Sequence, residues 1–328
     1  MIKDFKKLEA LLTNRTKELA QGCRRVFVAV SGGIDSSLVA VILCKAFKAG
    51  NVVGVYRDIR SNPKHLKDVK LLQSLFGFRL LVIDGNSLYG ALFRQLKKEF
   101  KKNGLPWVAE NNARAERLGF TNAYASMKSR FMTPISGFVA KAIDGGNGRV
   151  FGTGNGEEDG ILRYFDKFGD GAVDNNILNG LTKAEVRQLA AYMGVPGRIV
   201  TKKPSADLES SGDAHNDEDQ LTQWAKKMHF DISISYGASD GSREGNIAWG
   251  WKEDIKKGVV TGKNARKGTK DLAMAPFKYT KDQISTILFL RAISKIESRV
   301  IPRKVPMHCG GVYRWPFFTI KILSPVHS

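Results

Sequence analysis

The chain has 328 residues, 42% of them apolar, and a formal net charge of +20 from 52 Lys/Arg against 32 Asp/Glu. That length and apolar content support one large α/β domain or two modest ones with a real core. No apolar run reaches membrane-spanning length, so no spanning helix is expected, and residues 1–7 lack the apolar stretch of a signal peptide.

Residues 1–24 read as a helix with Phe5, Leu8, Leu11, Leu12 and Leu19 near one face. An apolar run at 26–30 predicts the first strand. It leads through Ser31-Gly32-Gly33-Ile34-Asp35-Ser36-Ser37 into a second apolar run at 38–43, so the pattern is strand, glycine turn, helix. That helix is expected over 38–48, closed by Gly50. A strand over 52–56, a helix over 65–76 ended by Gly77, a strand over 80–83 and a basic amphipathic helix over 88–102 follow. A long helix is expected over 122–143 and a short buried strand over 150–153, with Gly154 to Glu158 as the loop after it. Thr182 and Glu185 form a capping box, and the helix they open runs to Met193, stopped by Gly194 and Pro196. Strands alternating with helices at this spacing predict a parallel, doubly wound sheet with flanking helices, whose ligands lie at the carboxyl ends of the strands. Residues 1–230 form the main domain on this reading. The turn-rich stretch 231–275, with Trp249-Gly250-Trp251, reads as an insertion or mobile lid. Residues 276–328 add a helix over 281–298 and a proline-bearing tail that complete the same domain.

The basic excess is concentrated after residue 250. Such an excess fits nucleic acid, an anionic membrane surface or a polyanionic small substrate; the plainer expectation is a solvated surface, since no aromatic–basic alternation marks a nucleic-acid fold. Cys23, Cys44 and Cys309 are scattered, form no Cys-x-x-Cys pair and fit a reducing cytoplasm.

The first turn carries the sharpest chemistry. Backbone N–H groups at a glycine turn and a helix N-terminus make an anion site, and Gly32 and Gly33 let a phosphate approach the backbone. Ser31, Ser36 and Ser37 add hydroxyl donors. Asp35 would repel a phosphate unless a cation lies between them, and Mg²⁺ resolves the conflict. The string SGGIDSS resembles the pyrophosphate-binding loop of the ATP pyrophosphatase superfamily. It lacks the Gly-Lys-Ser/Thr ending of a Walker loop.

A second constellation runs from Phe151 to Glu209: GTGNGEE, YFDKFGDGAVDNN, LTKAEVRQLA and KKPSADLE. Each string alone has a plain explanation as a turn, a solvated helix start or a cap. Together, in this order after SGGIDSS, they resemble the NAD⁺ synthetases, the amide-forming branch of that superfamily, over about residues 20–230. The resemblance implies an enzyme that adenylates the nicotinate carboxylate of deamido-NAD with ATP and releases pyrophosphate. Ammonia then attacks the acyl-adenylate to give NAD⁺ and AMP.

The residue roles it implies follow the motifs. Ser31, Gly32, Gly33, Asp35, Ser36 and Ser37 hold the ATP phosphates, with Asp35 and Glu158 as magnesium ligands. Glu157 stays open as the alternative to Glu158, because the stretch to Lys167 is one residue longer than the common form. Arg57, Thr153, Lys183 and Ser205 face ATP. Arg130, Lys167 and Asp174 face deamido-NAD. Asp170 is the candidate for the ammonia side, orienting ammonium and accepting its proton; a plain turn aspartate is the alternative. Arg130 keeps the first arginine of the family helix, but Met132 replaces the second. The late His-Lys pair is missing, with Ser298-Arg299 and Arg303-Lys304 nearby. Glutamine-dependent relatives carry a nitrilase-like domain ahead of the loop, whereas thirty residues precede Ser31 here, so ammonia is the expected direct donor. The family's habit further implies a homodimer in the cytoplasm, with ATP, deamido-NAD and ammonia as partners and neither membrane nor nucleic acid.

Overall fold

The apolar run Val26–Ala29 forms β1, the centre of a five-stranded sheet among the described residues. The chain is described here from a computed structural model, which covers residues 2, 4–107, 123–143, 145–156, 168–203 and 205. Val52–Asp58 (β2) pairs parallel to β1, and Arg79–Asp84 (β3) pairs parallel to β2. Arg149–Gly152 (β4) pairs with the other side of β1, Val26 opposite Arg149, and Asn175–Asn176 (β5) pairs with β4. All pairings are parallel and the order is β3-β2-β1-β4-β5. The chain therefore winds outward on one side of β1, then returns to its other side. The gap between β1 and β4 is the topological switch point, where such sheets bind ligands.

Period-two alternation sends neighbouring strand residues to opposite faces. Val26, Val28 and Val30 pack on one side against Phe5–Leu19 (α1), Ile34–Ala46 (α2), Pro63–Phe76 (α3) and Lys183–Tyr192 (α7). Phe27, Val53, Val55 and Val150 pack on the other side with Ile135, Val139 and Ala140. Those three belong to Met132–Ile143 (α6). The other α-helices among the described residues are Asn86–Lys102 (α4), Ala123–Arg130 (α5) and the short Gly197–Val200 (α8). Nearly every side chain of α2 is buried, as its apolar run requires. Each fully buried Leu or Val there contributes about 1.5–3 kcal/mol. Burial also pushes the half-buried Cys44 thiol, packed against this core, up to about 11, which keeps it unreactive. None of the helices among the described residues is long and apolar enough to cross a membrane.

The doubly wound parallel sheet read from the sequence is present, and three local expectations need correction. The single helix expected over 122–143 breaks at Phe131 into α5 and α6. Pro134 has no N–H for the Arg130 carbonyl, and its ring crowds that carbonyl, so the helical ladder stops there. β5 was not expected, because Asn-Asn has no strand propensity; its pairing with β4 supplies the strand. The short α8 was likewise absent from the sequence reading. The expected lid at 231–275 and the helix and tail at 276–328 lie outside the described residues.

Candidate active site

The chain leaves β1 through Ser31 and enters α2 through Gly33, whose backbone is extended (φ −84°, ψ 164°) and offers no side-chain cap to the helix. The first N–H groups of α2 thus face the switch point without a capping side chain, as an anion site requires. Gly32 sits in the left-handed region at φ +77°. A Cβ there would lie 2.7 Å from the His65 carbonyl oxygen at the start of α3, so only glycine fits.

The serine hydroxyls divide their work. Ser31 is exposed, and its Oγ accepts from Gly33 N–H at 3.3 Å. Ser36 and Ser37 are buried; their hydroxyls donate to the Gly33 carbonyl at 3.1 and 2.7 Å, and Ser36 Oγ accepts from Ser31 N–H at 3.2 Å. Both hydroxyls brace the turn, and Ser36 Oγ also lies 3.1 Å from Ser31 Oγ.

Asp35 stands in the first turn of α2. Its Oδ2 accepts from Lys183 Nζ at 2.6 Å and its Oδ1 accepts from Asn155 Nδ2 at 3.1 Å. Lys183 is 3% exposed and Asp35 17%. Lys183 opens α7, where the positive helix end disfavours a cation, so the Asp35 carboxylate offsets both burial and dipole. The start of α7 is fixed by the expected capping box: Thr182 Oγ1 accepts from Glu185 N–H at 3.2 Å and Glu185 Oε2 accepts from Thr182 N–H at 2.9 Å. Lys183 is therefore a buried partner of Asp35, which rules out a solvated helix start.

Asn155 was missed as a site residue. It lies inside the quoted string GTGNGEE, where an asparagine between glycines reads as turn chemistry, yet it is fully buried. Only the long-range approach of the loop after β4 to α2 reveals its function. Thr153 leaves β4 at the same edge and is half-buried.

Asp35 suits Mg²⁺: it is a hard oxygen ligand, and each of its oxygens keeps a lone-pair site beyond its single hydrogen bond. Among the described residues no cluster of three or more metal-ligating side chains forms. Glu157, Glu158 and Lys167 lie outside the described residues.

A second group gathers where β2 ends. Burial pulls the Arg57 guanidinium down to about 10, against the opposing pull of the Asp170 carboxylate and of Tyr56; it stays charged at neutral pH. Among the described residues its buried Nε and Nη1 find no hydrogen-bond partner. Unpaired buried N–H groups on a cation are costly, which suits a group awaiting an anion. Asp170 is held by Ser129 of α5: Ser129 Oγ donates to Oδ1 at 3.0 Å, and Asp170 N–H donates back to Ser129 Oγ at 3.2 Å. Thr133 Oγ1 donates to the Phe168 carbonyl at 2.6 Å, and the exposed Arg130 places its guanidinium 5.9 Å above the Phe168 ring. A Cβ on Gly169 would lie 2.1 Å from Ser129 Oγ, so the Gly-Asp-Gly turn docks this closely only with glycine.

Asp174 is not brought to either group. Its carboxylate accepts from the Val150 N–H at 2.7 Å, and its own N–H donates to the Val150 carbonyl at 3.0 Å, so it secures the edge of β4. Ser205 is half-buried at the end of the described run.

The parallel five-stranded sheet with its flanking helices, carrying the glycine turn at its switch point, has the adenine nucleotide alpha hydrolase-like fold. The sequence profile of the NAD synthase family matches residues 5–228, and the chain belongs to that family of carbon–nitrogen bond-forming ligases. An NH(3)-dependent NAD(+) synthetase from Finegoldia magna is 32% identical over 220 residues, 66% of this chain and 80% of the relative. Its counterpart from Carboxydothermus hydrogenoformans is 35% identical over 204 residues, 62% of this chain and 74% of the relative. The structure of NMN synthetase from Francisella tularensis superposes with a TM-score of 0.59 over 92% of this chain and 99% of that one, at 20% identity, and supports the fold.

Proposed function

We propose that this chain is an ammonia-dependent NAD⁺ synthetase. It joins ammonia to the nicotinate carboxyl of deamido-NAD at the expense of ATP cleaved to AMP and pyrophosphate. The observation that carries the reading is the Asp35–Lys183–Asn155 set beneath the bare N-terminus of α2. A carboxylate is a poor acyl electrophile; transfer of AMP onto it creates a good leaving group, and ammonia then displaces AMP. Such chemistry needs positioning and charge neutralisation rather than a protein nucleophile.

The loop N–H groups receive the phosphates. Lys183 exchanges its bond to Asp35 for one to a phosphate oxygen, while Asn155 keeps the carboxylate aimed. Mg²⁺, held by Asp35 with Glu158 or Glu157, would supply charge neutralisation on the polyphosphate. Arg57 offers its unpaired N–H groups to the nucleotide side, with Thr153 and Ser205. Asp170, oriented by Ser129, orients ammonium and takes the proton that the attacking nitrogen loses. Arg130, Lys167 and Asp174 serve deamido-NAD. For Asp174 that role competes with its bond to Val150. A homodimer acting in the cytoplasm completes the proposal.

The test is direct. Purified full-length protein is mixed with deamido-NAD, ATP, Mg²⁺ and ammonium, and NAD⁺ and pyrophosphate are measured in equal amounts. Glutamine in place of ammonium gives no product. A folded protein that forms neither product with ammonium refutes the proposal.

A further inference from the structure

The peptide joining Gly32 to Gly33 is the most freely rotating link in the phosphate turn, because neither residue carries a Cβ. The turn works only if that peptide keeps one face inward. In a trans peptide the C=O and N–H point in opposite directions. Gly33 N–H faces Ser31 Oγ on the inner side at 3.3 Å, long for a hydrogen bond and easily exchanged for a phosphate oxygen. The Gly32 carbonyl faces outward, and there it meets Lys202, whose Nζ donates to it at 3.1 Å.

Lys202 is itself fixed. Its ammonium also donates to Asp68 Oδ2 at 3.1 Å, and the other oxygen, Oδ1, takes Arg198 Nε at 2.8 Å. Asp68 is a buried member of α3. Arg198 Nη2 donates further to the Lys67 carbonyl at 3.3 Å. The segment carrying Arg198 and Lys202 is thus clamped to the same helix whose His65 carbonyl walls the other side of Gly32. Two cations thus share the Asp68 carboxylate behind the turn.

We infer that Lys202 is the positioning residue of the pyrophosphate site. By holding the Gly32 carbonyl outward it keeps the Gly33 N–H turned toward the anion, and Asp68 holds the lysine in place. The inference rests on the proposed reading of SGGIDSS as a pyrophosphate turn. Lys202 touches no reacting atom; without it the Gly–Gly peptide is free to flip and withdraw its donor.

Calorimetric titration of the full chain with inorganic pyrophosphate and Mg²⁺ tests this beside steady-state kinetics. Lys202→Met is expected to weaken pyrophosphate binding about tenfold, the loss associated with one charge-assisted hydrogen bond. It should raise the KM for ATP while leaving that for deamido-NAD unchanged. Lys202→Arg restores most of the affinity, and Asp68→Asn shows a smaller loss of the same kind. A Lys202→Met protein that binds pyrophosphate like the wild type overturns the inference, as does equal loss for both substrates. Should Lys202→Met fail to fold, the ordering wild type, Lys202→Arg, Asp68→Asn decides: falling affinity supports the inference and equal affinity overturns it. A wild-type chain that binds neither pyrophosphate nor ATP removes the pyrophosphate reading itself, and this inference with it.

Discussion

The Asp35–Lys183 pair makes an asymmetric stability prediction. Asp35→Asn strands the Lys183 ammonium, which is 3% exposed and sits at the positive end of α7. Breaking a buried pair from one side costs about 3–5 kcal/mol, and the helix end adds about 0.3–1 kcal/mol. The asparagine carbonyl still accepts from Nζ and returns about 1 kcal/mol, so the expected loss is about 3 kcal/mol. Lys183→Met leaves a different orphan. Asp35 is 17% exposed, keeps its bond from Asn155, and lies at the N-terminus of α2, where a negative charge is favoured. Methionine retains much of the lysine stem's packing, and the expected loss is about 1 kcal/mol given the partial exposure and the remaining partners. Thermal unfolding should therefore fall by about 6–12 °C for Asp35→Asn against about 2–4 °C for Lys183→Met. The double variant should lose less than the two singles together. Equal drops, or a larger one for Lys183→Met, would refute the account of a buried cation neutralised by this carboxylate.

Arg57→Met should leave the melting temperature unchanged or raise it, because it removes a desolvated cation with two unpaired N–H atoms, while kcat/KM falls; a clear loss of stability would contradict the reading of Arg57 as a group held ready for ligand. Gly169→Ala should lower stability by about 1–3 kcal/mol through the clash with Ser129 Oγ and should also slow turnover by displacing Asp170; wild-type values in both denaturant titration and kcat would count against that docking. Thr182→Ala should cost about 1 kcal/mol through the lost cap and raise the KM for ATP by loosening Lys183; a KM change confined to deamido-NAD would separate Lys183 from ATP.

The legible part of this fold was its local chemistry. SGGIDSS, the capping box at Thr182 and the strand–helix alternation are each written in consecutive residues, and the structure follows them. The break at Phe131 also had a local signal in Pro134, which the apolar periodicity of 122–143 overrode. What stayed hidden was non-local. Asn155 looks like turn chemistry until α2 closes over it. Asn175–Asn176 becomes a strand only because β4 presents an edge. Nor does the string SGGIDSS show that the Ser36 and Ser37 hydroxyls also bond back to the Gly33 carbonyl, a contact set by helix geometry. The bond between Asp174 and the Val150 N–H is likewise invisible in the string that carries Asp174.

The contacts that complete the site span great lengths of chain: 148 residues separate Lys183 from Asp35, and 170 separate Lys202 from Gly32. Contacts this remote close late and slowly during folding. A nascent chain on the ribosome thus carries its glycine turn long before it has the lysines that complete it.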